Sequence, residues 1–316
     1  MIEKALEEYE FYNPKAEFIR HNENITYKIS DDKVIYLLRI HQPVKGFSLD
    51  LYQKDGSASD YILGEMKLLD FMKCSKTRLQ VPVKNKKGNL VSFVDNTPIT
   101  VLKWIEGNIV QNIDESKAYQ IGQLIAGLHQ DFVESKIHEQ EFKRYMYDEA
   151  CLLDIIDELN LAKKLGHINE LSRDLLISVC YEIITCMTNL DKRVDYGYIH
   201  SDLSKDNLIE SQQNMIPIDF SLSGYGYYTM DVAFILCQIK DNTTKKTLVD
   251  AYENKMAVKL SIRDLEVFYA FGVLLYIACQ HEKIHKLDWF VEKLEKWSET
   301  IFYPLVNNER FLYREE

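Results

Sequence analysis

The chain has 316 residues, of which 46% are hydrophobic and 28% are charged, and its formal net charge is -11. This length suits one large domain or two smaller ones around a shared cleft, and the acidic balance disfavours a nucleic-acid partner and favours a cationic substrate. The six cysteines form no CxxC pair, which argues against a disulfide framework and against a thiolate zinc site.

The apolar runs of the sequence predict no membrane-spanning segment. The longest run, Val267 to Cys279, is too short to cross a bilayer, and its Tyr, Gly and Ala content is typical of a buried helix. The first residues are acidic and amphipathic, and they lack the basic start and apolar stretch of a secretory signal. We therefore expect a cytoplasmic protein without a membrane partner.

The first third of the chain predicts a region rich in strands. Residues 15–43 are rich in Ile, Tyr, Val and Phe and are interrupted at SDD, which predicts two antiparallel strands. Residues 57–72 have apolar side chains at helical spacing, with Ser59 or Asp60 as the N-cap. Residues 79–107 predict three further short strands, with turns at NKKG and DNTP.

The pattern changes at a short hinge near residues 103–107. Residues 114–132 repeat apolar side chains at i, i+3, i+4 and i+7, and long helical patterns follow at 148–164 and 168–190 and again after residue 231. Short strand-like pieces interrupt these helices around the polar stretch YIHSDLSKDNLIE. The second part of the chain is therefore predicted to be mainly helical.

The polar stretch carries the groups that phosphoryl transfer from a nucleotide requires. That reaction needs a carboxylate near the attacking hydroxyl and oxygen ligands that hold Mg²⁺ on the phosphates. Asp202 is followed five residues later by Asn207, and Asp219 comes twelve residues further on, at the end of an apolar strand. One tight loop and the next strand end can thus converge on a single site.

The order of these residues resembles that of a known family. HSDLSKDN resembles the H-x-D-x-x-x-x-N catalytic loop of the kinase-like superfamily, and IDF resembles its metal-binding Asp-Phe pair. The segments ENITYKI, YLLRI, VLKWIEGN and IGQLIAGLHQ follow the expected order, so the likeness covers roughly residues 20–240. The variant is similar to the aminoglycoside phosphotransferase and choline kinase family, whose members phosphorylate small hydroxylated molecules.

The resemblance implies an α+β protein with a two-lobed, protein-kinase-like fold. Residues 1–105 would form the nucleotide-binding lobe, with a five-stranded antiparallel sheet and one helix. Residues 106–316 would form the mainly helical lobe that bears the catalytic loop and binds the substrate. The implied activity is transfer of the γ-phosphoryl group of ATP or GTP, with Mg²⁺, to the hydroxyl of a small-molecule alcohol.

The resemblance also implies a role for each polar residue of the second lobe. Asp202 would be the catalytic base or would orient the substrate hydroxyl, while Asn207 and Asp219 would hold Mg²⁺. His200 would brace the loop, and Asp231 is either a helix cap or a buried anchor for that loop.

In the first lobe, the resemblance implies a nucleotide site in which an arginine replaces the usual strand lysine. Arg39 would contact the α- and β-phosphates and pair with Glu65 of the helix. Arginine keeps a permanent positive charge and a bidentate fork, so this role is chemically feasible. Backbone groups of Lys103, Trp104 and Ile105 would bind the purine, which can be adenine or guanine.

Two departures from the family pattern also carry information. The first glycine of the chain is Gly46, so no GxGxxG loop covers the phosphates, and the turn at residues 21–24 must do so. Asn22 or Asn24 suits this turn, because asparagine tolerates left-handed backbone conformations. No Ala-Pro-Glu segment follows Asp219, which argues against a protein kinase.

Two alternatives remain open at this point. A noncatalytic nucleotide-binding or scaffolding module is compatible with Arg39 and with the missing glycines. A zinc hydrolase is suggested by HEKIH at residues 281–285, which matches the H-E-x-x-H motif. However, Lys283 and Lys286 lie beside it and no third ligand is evident, so an exposed helix end is the simpler interpretation. The sequence does not identify the acceptor.

Overall fold

The structure is a computed structural model, and it describes residues 1–32, 34–43, 56–137, 142–212 and 214–314. The strands of the first lobe are β1 (Lys15–His21), β2 (Ile25–Asp31), β3 (Val34–Ile40), β4 (Ser92–Val94) and β5 (Thr97–Lys103). They form one antiparallel sheet in the order β1-β2-β3-β5-β4. Two helices accompany the sheet, α1 (Ile2–Glu7) and α2 (Ala58–Phe71).

The central strands of the first lobe's sheet carry buried side chains on both faces, whereas β1 is exposed along its length. Ile29 and Leu38 are fully buried and belong to the same cluster as Ala5 of α1. Leu102 of β5 points to the opposite face, where it belongs to the same cluster as Met66 of α2. Alternation of side chains along a strand produces this arrangement, because successive residues point to opposite faces.

The predicted number of strands in residues 15–43 is wrong, since the structure has three where two were expected. The additional break lies between β1 and β2, where the N–H of Asn22 donates to the carbonyl of Asn24 over 3.2 Å. This turn reverses the chain within a stretch whose composition is favourable for strands. It is the turn that the sequence assigned to the phosphates.

Two further expectations for the first lobe need correction. Residues 79–107 contain β4, β5 and an isolated bridge at Pro82 in place of three strands. Pro82 has no N–H to donate to a ladder. Helix α2 is capped by Ser57, whose N–H donates to the Asp60 carboxylate over 2.9 Å, rather than by Ser59 or Asp60. The total of five strands in one antiparallel sheet agrees with the prediction.

The second lobe is mainly helical. Its helices are α3 (Glu115–Glu134), α4 (Glu149–Lys164), α5 (Glu170–Asn189), α6 (Lys192–Asp195), α7 (Tyr228–Leu236), α8 (Asn242–Met256), α9 (Ile262–Ile284), α10 (Trp289–Trp297) and α11 (Tyr303–Val306). Its short strands are β6 (Asn108–Ile109), β7 (Tyr145–Met146), β8 (Tyr196–Ile199), β9 (Leu208–Ser211), β10 (Asn214–Pro217) and β11 (Gly224–Tyr227). They form two small sheets, ordered β10-β9-β6 and β7-β11-β8.

The connection between β5 and β6 joins the two lobes. Gly107 has φ +150° in this connection, and a Cβ placed there would lie 2.4 Å from the carbonyl oxygen of Glu210. Only glycine allows this close approach without displacing the backbone. Because β6 pairs with β9, the connection is held against the strand that follows the polar stretch.

The largest hydrophobic core lies among the helices of the second lobe. It includes the fully buried side chains Leu152, Leu176, Phe268 and Leu274. Within the part of the chain that the structure describes, no helix combines the length and apolar character that crossing a bilayer requires.

Candidate active site

The polar loop, residues 200–207 between β8 and β9, begins with a tight turn held by a buried carboxylate. Ser201 has φ +64°, a left-handed conformation that is uncommon outside glycine. The N–H groups of His200 and Ser201 donate to the two carboxylate oxygens of Asp231 in α7, over 2.8 and 2.7 Å. Asp231 is fully buried, and its side chain therefore fixes the start of the loop.

His129 of α3 completes this arrangement. Its Nε2 lies 2.9 Å from Asp231 Oδ2, and its Nδ1 lies 3.0 Å from the hydroxyl of Tyr252. Burial opposes ionisation of Asp231, but the hydrogen bonds from His129 and from the His200 backbone outweigh it and lower the pKa of Asp231. We call His129, His200 and Asp231 the loop cluster.

The His200 side chain connects the polar loop with the strand end before Asp219. Its Nε2 lies 3.1 Å from the carbonyl oxygen of Ile218, and the N–H of Asp202 donates to its Nδ1 over 3.3 Å. Burial lowers the pKa of His200, which favours the neutral ring. A neutral ring with its proton on Nε2 satisfies both contacts. His200 thus joins two segments that are distant in sequence.

Asp202 and Asn207 face each other across the polar loop. Asn207 Nδ2 donates to Asp202 Oδ2 over 2.8 Å and to the Asp202 carbonyl over 2.9 Å. Burial, followed by the charges of Asp219 and Glu23, raises the pKa of Asp202 well above its ordinary value. Asn207 Oδ1 accepts no hydrogen bond from any residue that the structure describes, so a cation can bind there.

Asp219 follows β10 in a left-handed conformation, with φ +64°. Its Oδ1 is buried and accepts no hydrogen bond from the described residues, and it lies 3.6 Å from Arg39 Nη1. A buried carboxylate oxygen without a hydrogen-bond donor is costly unless a cation lies nearby. Together with Asn207 Oδ1 it provides the oxygen ligands that Mg²⁺ prefers, so these two residues fit a metal site.

Arg39 of β3 and Glu65 of α2 form a buried ion pair. Arg39 Nη2 lies 2.9 Å from Glu65 Oε1, and both residues are buried. Burial would lower the pKa of Arg39, but the charges of Glu65 and Asp219 raise it. The guanidinium therefore remains charged, and it links helix α2 with the strand end that carries Asp219.

These groups line one cavity of about 360 Å³ between the lobes. Of the residues that the sequence singled out, the lining includes Asn24, Arg39, Trp104, Ile105, Asp202, Asn207 and Asp219. Glu65 lies behind Arg39 and is not part of the lining, and Lys103 does not reach the cavity either. The structure thus brings together residues from both lobes that are distant in sequence, such as Asn24 and Asp219.

Hydrogen bonding at the hinge distinguishes the three predicted purine-binding residues. The N–H of Lys103 donates to Val81 over 2.8 Å, and the N–H of Trp104 donates to Ile35 over 3.0 Å. The N–H of Ile105 has no backbone acceptor among the described residues. Ile105 therefore retains the N–H that a base can use.

Sequence reasoning missed several residues of this region. Gln80 lines the cavity, although it belongs to no recognised motif. Arg144 is buried and donates to the carbonyls of Phe220 and Ser223 over 2.7 and 2.8 Å, just after Asp219. It has no motif because its acceptors are backbone carbonyls, which any sequence supplies. Only the folded chain shows that these residues matter.

The HEKIH motif is not a metal site in this structure. His281 is 1% exposed, its Nε2 lies 2.7 Å from Glu158 Oε1, and its Nδ1 lies 2.7 Å from His167 Nδ1. The ring of His285 stacks on that of His167 with centroids 3.6 Å apart. Across the described ranges, no group of three His, Cys, Asp or Glu residues is arranged to bind a metal ion.

These contacts use both ring nitrogens of His281, which leaves neither for zinc. The prediction that residues 281–285 form an exposed helix end is wrong for His281. Its ring is buried inside the lobe, between α4 and the turn that follows α4. We call His167, His281, His285 and Glu158 the histidine cluster.

Comparison with known protein sequences gives one partial match. No family model matches the chain. A homoserine kinase of Neisseria meningitidis serogroup B is 27% identical over 184 residues, and the match covers 54% of this chain and 55% of that enzyme. The match thus spans about half the length of this curated relative.

Solved structures match over nearly the whole chain. A microcompartment-associated aminopropanol kinase has a TM-score of 0.78 at 20% identity, covering 99% of this chain and 98% of that one. An amicoumacin kinase in complex with AMP-PNP and Ca²⁺ has a TM-score of 0.75 at 18% identity, with coverages of 98% and 93%. An ethanolamine kinase of Plasmodium vivax has a TM-score of 0.66 at 15% identity, with coverages of 94% and 85%. The chain has the two-lobed, kinase-like fold of these small-molecule kinases, which confirms the fold predicted from its sequence.

Proposed function

We propose that the protein transfers the γ-phosphoryl group of ATP or GTP to a hydroxyl of a small molecule. The observation that carries this proposal is the convergence of Asp202, Asn207 and Asp219 with Arg39 on one cavity between the lobes. In this proposal residues 1–105 bind the nucleotide, residues 106–316 bind the acceptor, and the protein acts in the cytoplasm. The homoserine, aminopropanol and ethanolamine kinases among the similar proteins support the same reaction class.

Asp202 is the residue that faces the acceptor hydroxyl. Burial and the neighbouring carboxylates raise its pKa, which makes it a stronger base than an exposed aspartate. Its Oδ2 is held by Asn207, and the turn at Ser201 is held by Asp231, so its position is fixed before the acceptor arrives. Accepting or orienting the hydroxyl proton from a fixed position lowers the barrier to attack on the γ-phosphorus.

Asn207 and Asp219 would hold Mg²⁺, which would supply positive charge to the phosphates when bound. Arg39 directs a fixed positive charge at the same phosphates, and its pairing with Glu65 keeps the guanidinium in place. In this proposal the turn at residues 22–24 covers the phosphates and the N–H of Ile105 binds the purine, and both segments line the cavity. The two lobes thus contribute different halves of the nucleotide site.

The acceptor is an alcohol that also carries a positive charge. Four carboxylates line the cavity, those of Glu23, Asp202, Asp206 and Asp219, against two guanidinium groups. An ammonium group beside the hydroxyl is attracted to this acidic surface. Homoserine, aminopropanol and ethanolamine, which the names of the similar kinases specify, are all amino alcohols.

A panel of acceptors tests the proposal. Amino alcohols, aminoglycosides, choline-like amines and uncharged sugars are each incubated with the protein, Mg²⁺ and ATP or GTP, and release of the nucleoside diphosphate is measured. We expect release to depend on one class of amino alcohol and to disappear in Asp202→Ala. If the protein binds neither nucleotide in a thermal-shift assay with Mg²⁺, the proposal is wrong and a scaffold role is favoured.

A further inference from the structure

We propose that Gln80 hydrogen-bonds the purine edge at position 6 and allows the site to accept both adenine and guanine. This inference rests on the proposed function, because it assigns a specificity-determining residue to the nucleotide end of the same cavity. No motif in the sequence points to Gln80, and its position becomes apparent only in the folded chain.

The backbone next to Gln80 is fixed against the hinge. The carbonyl of Val81 accepts a hydrogen bond from the N–H of Lys103 over 2.8 Å, and Pro82 forms a bridge with Leu102. Gln80 therefore lies at the inner end of the strand segment that flanks the hinge. The N–H of Ile105, which has no backbone acceptor in the described part of the chain, belongs to that same hinge.

The surroundings of Gln80 form a slot suited to a flat base. Leu37 from the first lobe and Ile209 and Ile218 from the second lobe line the same cavity, together with Trp104 at the hinge. Apolar side chains on two sides with few polar groups between them are typical of sites that bind a planar ring. Gln80 is one of the polar side chains that line the same cavity.

The Gln80 side chain lines the cavity and makes no hydrogen bond within the part of the chain that the structure describes. The residue is 6% exposed, and no residue within the described ranges donates to or accepts from its side chain. An amide at a cavity wall that has no partner in the protein is available to hydrogen-bond a ligand. The edge of a purine supplies both donors and acceptors.

The chemistry of glutamine explains why both bases are accepted. Adenine presents an amino donor at position 6, and guanine presents a carbonyl acceptor there. A glutamine amide has an acceptor oxygen and a donor nitrogen, and rotation of the terminal torsion exchanges them. Since no described side chain holds the Gln80 amide in one orientation, it can present its oxygen to adenine or its nitrogen to guanine.

Two substitutions of Gln80 distinguish its contribution to adenine binding from its contribution to guanine binding. In Gln80→Glu the side chain only accepts hydrogen bonds, so the variant should bind adenine and reject guanine. In Gln80→Leu neither group is available, so both nucleotides should bind more weakly and the ratio should remain the same. Gln111→Glu is the matched control, because Gln111 is exposed near the hinge and does not line the cavity.

Binding of AMP-PNP and GMP-PNP with Mg²⁺, measured by isothermal titration calorimetry, tests the inference without an acceptor. We expect dissociation constants within about tenfold of each other for the wild type, and a rise of about tenfold or more for GMP-PNP alone in Gln80→Glu. Purine riboside triphosphate, which has no group at position 6, should be insensitive to Gln80→Leu. Circular dichroism of each variant checks that it is folded.

The other results would overturn the inference in distinguishable ways. If both nucleotides bind the wild type but Gln80→Glu leaves their ratio unchanged, or changes it no more than Gln111→Glu does, the assignment of Gln80 is wrong and the proposed function stands. If the wild type prefers one base by more than about a hundredfold, Gln80 does not confer dual recognition. If neither nucleotide binds, the proposed function fails as well.

Discussion

The loop cluster and the histidine cluster are built from the same groups, yet they serve different parts of the second lobe. In the loop cluster, Asp231 accepts from His129 and from two backbone N–H groups at the start of the polar loop. In the histidine cluster, Glu158 and His167 occupy both nitrogens of His281. The first cluster fixes a turn that places Asp202 in the cavity. The second joins helices α4 and α9 and contributes no residue to the cavity lining.

This difference shows that a match to a sequence motif does not by itself identify a functional site. HEKIH matches a catalytic pattern of three residues, but its His281 is hydrogen-bonded to Glu158 and His167 inside the lobe. The less conspicuous Asp231, from a helix that matches no catalytic motif, supports the residue proposed to act on the substrate. Function depends on which groups remain available at a cavity, and that depends on the hydrogen bonds of the fold.

Removal of the Asp202 carboxylate, which the loop cluster positions, should have the largest effect on activity. We expect Asp202→Ala to lower kcat by about 10²- to 10⁴-fold, because the hydroxyl loses its base, while nucleotide affinity is retained. Steady-state kinetics and calorimetry measure the two quantities. Asp157→Ala, an exposed aspartate of α4, is the control and should be without effect. Equal kcat values for the two variants would contradict the role of Asp202.

Breaking the loop cluster itself should affect stability and activity together. Asp231→Ala leaves the N–H groups of His200 and Ser201 and the ring of His129 without an acceptor in the protein interior. We expect a loss of about 3 kcal/mol in the free energy of unfolding and a fall in kcat of the folded fraction, since the turn is no longer held. Urea unfolding and kinetics at a temperature below the transition measure both. Destabilisation with an unchanged kcat would show that the cluster does not position the loop.

Breaking the histidine cluster should affect stability alone. We expect His281→Asn to cost about 1–2 kcal/mol in the free energy of unfolding, because Glu158 and His167 lose a buried partner. The kcat of the folded variant should equal that of the wild type, and the protein purified without added metal should contain no zinc by mass spectrometry. Stoichiometric zinc, lost in this variant together with activity, would restore the hydrolase alternative.

The pH dependence of stability offers the subtlest comparison, because both clusters contain a histidine of lowered pKa. Burial lowers the pKa of His200, and burial followed by the neighbouring rings of His285 and His281 lowers that of His167. Below the ordinary histidine pKa of about 6.5, the unfolded chain therefore binds more protons at these positions than the folded chain does. The contribution of these two histidines to the free energy of unfolding should fall as the pH decreases from 7 to 5, whereas that of Asp202, whose pKa is raised, should increase.

Single substitutions measure how much each cluster contributes to the pH dependence of the free energy of unfolding. His167→Asn should make the pH profile of the unfolding free energy shallower and leave kcat unchanged. His200→Asn should also make the profile shallower, but with a loss of kcat, because the link between Asp202 and Ile218 is broken. Parallel profiles for both variants and the wild type would show that these histidines do not titrate as inferred.

Much of the fold was predictable because it depends on local patterns. The repeats of apolar residues in α3 and α5 and the strand composition of β2 and β3 specify their elements directly. The site residues Asp202, Asn207 and Asp219 were predictable because their spacing is short and their order resembles a family. The turn at Asn22 was assigned to the phosphates but not recognised as a strand break, because the strand composition on both sides obscured it.

Other features depend on contacts between distant segments, which spacing does not encode. Gln80 matters because the hinge and the second lobe close around it, and Arg144 matters because it binds carbonyls some 76 to 79 residues away. The three hinge residues appeared equivalent in the sequence, yet neighbouring strands already bind the N–H groups of Lys103 and Trp104. Such distinctions arise only from the hydrogen bonding of the folded chain.

Transfer of label from ATP or GTP carrying ³²P at the γ-position tests the central claim most directly. The protein is incubated with Mg²⁺, the labelled nucleotide and a low-molecular-mass fraction of a cell extract, and the products are separated by thin-layer chromatography. We predict a labelled small molecule, distinct from inorganic phosphate, that appears with the wild type and not with Asp202→Ala. Label found only in inorganic phosphate or in the protein, or a product equally abundant with both proteins, would contradict the account.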